Sequence, residues 1–307
     1  MPTSSDPLGL ALGVALDRLV ADPRTPAHPV ALFGRAAARL ERSLYKDARS
    51  RGVLHVAVCV GGATALGVLA QRVPGRPART IVTAVATWAV LGGTTLAREG
   101  AYMAAALEHD DLRRARTRLP HLCGRDPSRL EAKELARATV ESLAENTSDA
   151  VVAPLFWGAV AGVPGLLAYR AVNTLDAMVG HRSPRYERFG WAAARLDDVA
   201  NYVPARLTGL IAVLTGPDPR GALAALRRDG HRHPSPNAGR CEAAFAGALG
   251  VTLGGTNVYQ GRIEHRHLCG RDPSRLEAKE LARATVESLA ENTSDAVVAP
   301  LFWGAVA

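Results

Sequence analysis

Apolar and polar positions fall in long blocks along this chain. Residues 7–22 form a short apolar segment carrying Asp17 and Arg18, and the chain leaves it through Asp22-Pro23-Arg24 and His28-Pro29-Val30. That pattern predicts an interfacial or tilted first helix with a polar exit loop. Over 34–51, Arg35, Arg39, Arg42, Lys46 and Arg49 recur at helical spacing, which predicts a basic amphipathic helix lying on anionic lipid. Two apolar runs follow, 53–70 and 80–97, each 18 residues long. Each is just long enough to cross about 30 Å of hydrocarbon. Their link, 71–79, is short and turn-like (Pro74-Gly75, Pro77), so a transmembrane hairpin is expected.

Residues 98–140 are polar, helical in period and rich in Arg, the pattern of a cytoplasmic loop region. An apolar stretch, 150–169, comes next, but Pro154, Gly158, Gly162 and Pro164-Gly165 break it. A full crossing here would put the Arg-containing block 170–201 on the opposite face from 98–140. The stretch is therefore expected to be re-entrant, or to lie in a protein-lined cleft where broken helices are tolerated. Residues 203–215 are a shorter apolar run, and 217–262 read as loop-rich. The fold class these blocks predict is all-α: a multi-pass integral membrane helical protein with a broken or re-entrant helix at about 150–169.

Composition sharpens this picture. The chain is 48% hydrophobic but only 5% aromatic, so Ala, Val, Leu and Gly supply the apolar mass and suit close helix packing in a membrane. The net charge is +8 and almost wholly arginine, with lysine only at 46, 133 and 279. A basic chain selects nucleic acid, anionic lipid or an anionic substrate. Basic residues are not interleaved with aromatics and no nucleic-acid reading motif is present, so nucleic acid is excluded as a partner and membrane lipid is kept. Cys59, Cys123, Cys241 and Cys269 form no C-x-x-C pair, which argues against a disulfide framework and a Cys-based zinc site. The first apolar stretch has no basic region before it and no A-x-A site, so no cleavable signal peptide is expected. The sequence lacks G-x-x-x-x-G-K-[ST], G-x-S-x-G and H-E-x-x-H strings.

One stretch occurs twice: 267–307 repeats 121–161 letter for letter, 41 residues at a separation of 146. Structural repeats drift in sequence and recur at shorter periods. Complete identity points instead to a recent rearrangement or an artefact, and the second copy is expected to be poorly packed and inactive.

Three acidic strings are candidates for chemistry. Glu141, Glu145 and Asp149 fall at i, i+4 and i+8, so a helix puts three carboxylates on one face beside Asn146. Like charges in a row call for a cation: a metal ion, a substrate amine or arginine. The bland alternative is a polar helix terminus with Ser148 or Asp149 as a cap. Asn173 and Asp176 stand at i, i+3, and Asp197, Asp198 and Asn201 form a third string. Paired carboxylates with carboxamides make an oxygen-rich site of the kind Mg²⁺ prefers, against the alternative of capping and Arg pairing. A fourth grouping, His231-x-His233 with Cys241, has metal-ligand chemistry but sits among prolines.

Taken in order, Asp22-Pro23, His28-Pro29-Val30, ESLAENTSDAVVAPLFW (141–157), YRAVNTLDAMVGHR (169–182), ERFGWAAARLDDVANYVPARLT (187–208), HPSPNAG (233–239) and GGTNVYQGR (254–262) resemble the CobD/CbiB cobalamin-biosynthesis family, the adenosylcobinamide-phosphate synthases. The resemblance runs from about residue 8 to about 263. It implies a single membrane-embedded domain over 1–263, located in the cell (inner) membrane, with 267–307 as an appended duplicate. It also implies an enzyme: ATP- and Mg²⁺-dependent amide formation between aminopropanol, or its phosphate, and the propionate of adenosylcobyric acid. The corrinoid is then a substrate, and other late cobalamin-pathway enzymes are candidate partners. On this reading Asp176, Asp197 and Asp198 hold Mg²⁺, and one of Glu141, Glu145 or Asp149 binds the amine and takes its proton. Arg170, Arg182 and Arg206 are candidate phosphate clamps, and Asn146, Asn173, Asn201, Asn237 and Asn257 candidate substrate contacts. The rivals are a small-molecule transporter or channel with intramembrane acids, and an inactive rearranged product.

Overall fold

The structure, a computed structural model, describes residues 5–23, 25–181, 183–259 and 262–270, with only the backbone of 257–259 and 262–264. In chain order the helices are α1 (Pro7–Val20), α2 (Pro29–Leu44), α3 (Arg49–Gln71), α4 (Arg76–Val90), α5 (Gly93–Glu108), α6 (Leu112–Arg118), α7 (Ala132–Thr147), α8 (Ala153–Leu175), α9 (Trp191–Ala200), α10 (Tyr202–Thr215), α11 (Pro219–Asp229) and α12 (Ala238–Leu249). An antiparallel hairpin, β1 (Thr252–Tyr259) and β2 (Arg262–Gly270), follows. The fold is all-α apart from that hairpin. Three helical stretches, Arg49–Gln71, Arg76–Glu108 and Ala132–Gly180, are long and apolar enough to cross a membrane, in keeping with a multi-pass membrane protein.

Local chemistry sets many helix ends. Asp6 caps α1 by accepting from Gly9 N (3.0 Å), with Pro7 at the first helical position; Asp218 caps α11 in the same way. Glu131 and Glu134 form a reciprocal capping box on α7.

The described residues fall into two compact units. The first takes residues 5–92 and 149–202 and holds α1–α4, α8 and α9. Its helices approach closely through small residues. Gly9 and Gly13 of α1 lie against Thr83 and Thr87 of α4, and Gly67 of α3 lies on the Pro164 backbone of α8. A side chain at either place would collide. The apolar window of α3 is only 22% buried, and Leu66, Leu69 and Val58 stand exposed on it, a surface suited to lipid. Arg35, Arg39 and Arg42 are exposed on α2 as expected, but that helix stops at Leu44, leaving Lys46 in a loop and Arg49 at the start of α3.

Two expectations need correction. The run 80–97 is not one continuous helix: α4 ends at Val90, Leu91 turns extended (ψ 156°), and Gly92 N donates to Ala150 O (3.1 Å). Gly92-Gly93 has poor helix propensity, so the break falls there. The region 217–262 is also more regular than its loop-like composition predicts, since it folds into α11, α12 and β1. The broken helix is present: α8 follows a π-helical turn at Ser148–Val152, and Gly162 inside it adopts φ 63°, two residues before Pro164.

The second unit takes 93–148 and 203–270, with α5–α7, α10–α12 and the hairpin. Met103, Leu107, Leu119, Leu135, Ala243 and Leu253 form its principal core. Gly254 and Gly255, at φ 95° and 90°, absorb a bulge in β1 that an L side chain would resist.

Candidate functional site

Each unit gathers its own set of polar side chains. In the first, a hydrogen-bonded network joins α8 and α9 to the π-helical turn before α8. Asn173 Nδ2 donates to Asp149 Oδ2 (3.3 Å), and Arg170 Nη1 donates to Asn173 Oδ1 (3.4 Å). Tyr169 donates its hydroxyl hydrogen toward Asn201 Oδ1 (2.9 Å), with Asp149 O at 3.2 Å, and Asn201 Nδ2 donates to Asp197 Oδ2 (3.0 Å). Ala153, Val172, Ala200 and the half-buried Trp157 pack around Tyr169, and Trp157 Nε1 donates to Ala200 O. The backbone is irregular where acids enter the network: Asp149 lies in the Ser148–Val152 π-turn, and Asp176 opens a second at Asp176–Gly180. Such π-turns cluster at functional sites.

Asp176, Asp197 and Asp198 are near one another in charge. Burial pushes the Asp197 carboxyl up to about 7, with repulsion from Asp176 next in weight; burial also raises Asp198, against the pull of Arg195. One Asp197 oxygen, Oδ1, is buried without a hydrogen-bond partner. An apolar cleft of about 560 Å³ lies in this unit too, lined by α2, α3 and α8 with Arg170 and Thr174 among its polar members.

In the second unit Glu141 is 1% exposed and fully engaged. Arg125 Nη2 donates to its Oε2, and Gly254 N to its Oε1 (2.7 Å). Arg137, one turn before it, donates to the carbonyls of Gly254 and Thr256. Glu145 meets Glu242 of α12 and Arg266 of β2 instead. Arg266 Nη1 is 3.0 Å from Glu242 Oε1 and 3.8 Å from Glu145 Oε1, and His233 Nε2 is 3.8 Å from Glu242 Oε1. Burial, then Arg266, brings His233 down to about 4, while burial and neighbouring glutamates raise Glu242 well above the usual range. Among the described residues, Glu145, His233 and Glu242 are the one set of three ligand atoms lying mutually within 4.8 Å.

The sequence-derived residues divide between the two units. Asp149, Arg170, Asn173, Asp176, Asp197, Asp198 and Asn201 belong to the first unit. Glu141, Glu145, Asn146, Arg206 and Asn237 belong to the second, where Asn146 bonds back to Ser142, Arg206 is half-buried on α10 and Asn237 is buried at the start of α12. Arg182 lies outside the described residues, as does 271–307 of the duplicate, and Asn257 is known by its backbone pairing with Glu264. Glu242 was not anticipated, and His233 was paired with Cys241, whose thiol instead faces Ala205 O (3.7 Å).

The family described as CobD/Cbib protein matches residues 10–270 and again 261–307. A "Cobalamin biosynthesis protein CobD" of Mycobacterium tuberculosis strain H37Rv is 53% identical over 296 residues, covering 95% of this chain and 94% of that protein. Proteins of the same description from Geobacter metallireducens (46% over 259 residues, 81% of each chain) and Rhodobacter capsulatus (47% over 241 residues, 77% and 76%) are also similar. No solved structure matches the chain. With its motifs, helical fold and acid–amide network in place, and relatives this similar along nearly its full length, the chain belongs to the CobD/CbiB family of cobalamin-biosynthesis proteins.

Proposed function

We propose that this protein acts in cobalamin biosynthesis as an amide-forming ligase of the cell's inner membrane. It joins aminopropanol, or its phosphate, to the free propionate of adenosylcobyric acid. The observation that supports this reading is the network Asp149–Asn173 and Asp197–Asn201–Tyr169, with Asp176 and Asp198 electrostatically against it, in a chain of this family. Asp149 is the carboxylate for the amine. Glu141 has both oxygens engaged by Arg125 and Gly254, and Glu145 faces Glu242, whereas Asp149 is held in place by the Asn173 amide. A carboxylate held this way binds an ammonium group and takes one of its protons, which frees the nitrogen lone pair for attack. Arg170, anchored on Asn173, supplies positive charge for an anionic substrate group.

The donor set Asp176, Asp197 and Asp198 fits Mg²⁺: all oxygen, mutually repelling, and with Asp197 Oδ1 lacking a partner. Mg²⁺ held there by Asp176, Asp197 and Asp198 would neutralise phosphate charge, and ATP would supply the phosphoryl group that turns a carboxylate oxygen into a leaving group for the amine to displace. The apolar cleft beside Arg170 suits the amphipathic corrinoid.

Detergent-purified protein, given adenosylcobyric acid, aminopropanol or its phosphate, Mg²⁺ and ATP, is expected to form the condensed corrinoid, read by mass spectrometry. Asp198→Asn is expected to abolish product while leaving membrane insertion intact. Near-normal turnover by that variant would remove Asp198 from the metal role. Ion-gradient-driven uptake into vesicles without ATP-dependent product would replace the ligase with a transporter.

A further inference from the structure

Outside the acid–amide network, side chains from three separate segments converge in the second unit: Glu145 of α7, His233 of the loop before α12, and Glu242 of α12 itself. The His233 side chain is 9% exposed, and its Nε2, aimed at Glu242, has no hydrogen-bond partner. A buried polar nitrogen left unpaired costs free energy, so its retention calls for a water or an ion beside it. Arg266 lies against both glutamates, its Nη1 at 3.0 Å from one and 3.8 Å from the other. Its positive charge relieves two carboxylates that would otherwise repel one another.

We propose that Glu145, Glu242 and His233 Nε2 form a binding site for a divalent transition-metal cation such as Zn²⁺, and that the Arg266 guanidinium holds the place of that cation in the metal-free protein. The imidazole sets the metal class. Nitrogen with carboxylate oxygen suits Zn²⁺ and its neighbours, while Mg²⁺ prefers oxygen alone. The separations are within reach of a bound ion. Two ligands of a tetrahedral zinc stand about 3.4 Å apart; His233 and Glu242 at 3.8 Å need a contraction of a few tenths of an ångström, and the set as a whole, spread over up to 4.8 Å, must draw in further. His233 Nδ1 has two partners from Ser235, the N–H at 3.0 Å and the carbonyl at 3.4 Å. The shorter contact makes Nδ1 the acceptor of the Ser235 N–H and leaves the ring hydrogen on Nε2. Metal binding selects the other tautomer, which exchanges that bond for one from Nδ1–H to the Ser235 carbonyl and turns the Nε2 lone pair to the ion, a common outer-shell arrangement for metal-bound histidine. The guanidinium must then swing away, so metal binding competes with an ion pair anchored on β2.

The site does not depend on the ligase reading, and its test uses no substrate. Full-length protein in detergent, stripped with EDTA, is titrated with Zn²⁺ and bound metal is counted by elemental analysis after desalting. About one Zn²⁺ per chain is expected, undisplaced by a large excess of Mg²⁺. His233→Gln and Glu242→Gln are expected to weaken binding at least about tenfold. Arg266→Gln is expected to tighten it several-fold, a gain that misfolding cannot produce. With Co²⁺ in place of Zn²⁺, visible d–d bands should appear without a thiolate charge-transfer band, which separates this site from the cysteines. Equal affinity in the wild type, His233→Gln and Arg266→Gln would overturn the proposal, as would a thiolate band or the absence of binding in both wild type and Arg266→Gln.

Discussion

Asp197 is placed where burial and neighbouring charge act in the same direction, and its pKa rises to about 7. In the unfolded chain it titrates near 3.9. The folded protein therefore binds the extra proton between these values, and stability falls as pH rises from about 4 to about 7. Asp197→Asn removes that dependence. In EDTA, its Tm should exceed wild type at pH 8 by about 2–4 °C or more and match it near pH 4; equal Tm values at pH 8 would contradict the buried, repelled carboxylate. Glu141 is the opposite case, a buried acid whose charge is matched by Arg125. Glu141→Ala takes from that buried guanidinium its carboxylate partner, with an expected loss of about 3–5 kcal/mol, read as a collapse in yield of folded protein on size-exclusion chromatography. The periodicity of Glu141, Glu145 and Asp149 was legible in the sequence, but their partners were not. Glu145 meets Glu242 and Arg266 from elements far along the chain, and no spacing rule reaches that far.

Elements were more legible than side-chain partners. The apolar run of α3 and the broken character of α8 follow from hydropathy and from Gly and Pro, and both appear in the structure. The break after α4 was legible only in part: Gly92-Gly93 weakens a helix there, but the bond from Gly92 N to the Ala150 carbonyl comes from packing. Gly162 carries the break in α8 at φ 63°, beside the Gln71 amide. Gly162→Ala should cost about 1–2 kcal/mol from the backbone alone, and more through the collision with Gln71; a thermal shift assay in detergent reads it as a lowered Tm. Leu66 of α3 is 61% exposed on a face suited to lipid. Leu66→Arg should weaken insertion, by less than the ~2.5–3.5 kcal/mol that an arginine costs at a helix centre because Leu66 lies near the end of α3, read as protein lost from the carbonate-resistant membrane fraction; an unchanged fraction would show that this face does not meet lipid.

At the scale of the whole chain, the family strings end by about 263, and 271–307 only repeats letters already present upstream. A chain ending at Gly270 is therefore expected to retain product formation and membrane localisation, measured by the same mass-spectrometric assay and by fractionation. The duplicate also supplies an internal comparison of sequence with structure. The letters His-Leu-Cys-Gly end a 3₁₀ turn and enter a loop at 121–124, yet they form the last residues of β2 at 267–270. Four residues carry too little conformational preference to choose between these states, so the surroundings choose. By itself, the sequence determined the family, the helical class, the apolar runs and the residue types available for chemistry, because each is a local sum or an ordered string. Only the tertiary structure decided which acids meet: Asp149 with Asn173, Asp197 with Asn201, Glu145 with Glu242 and His233. Those pairings depend on how the helices pack, and packing is set by contacts between residues distant in the chain.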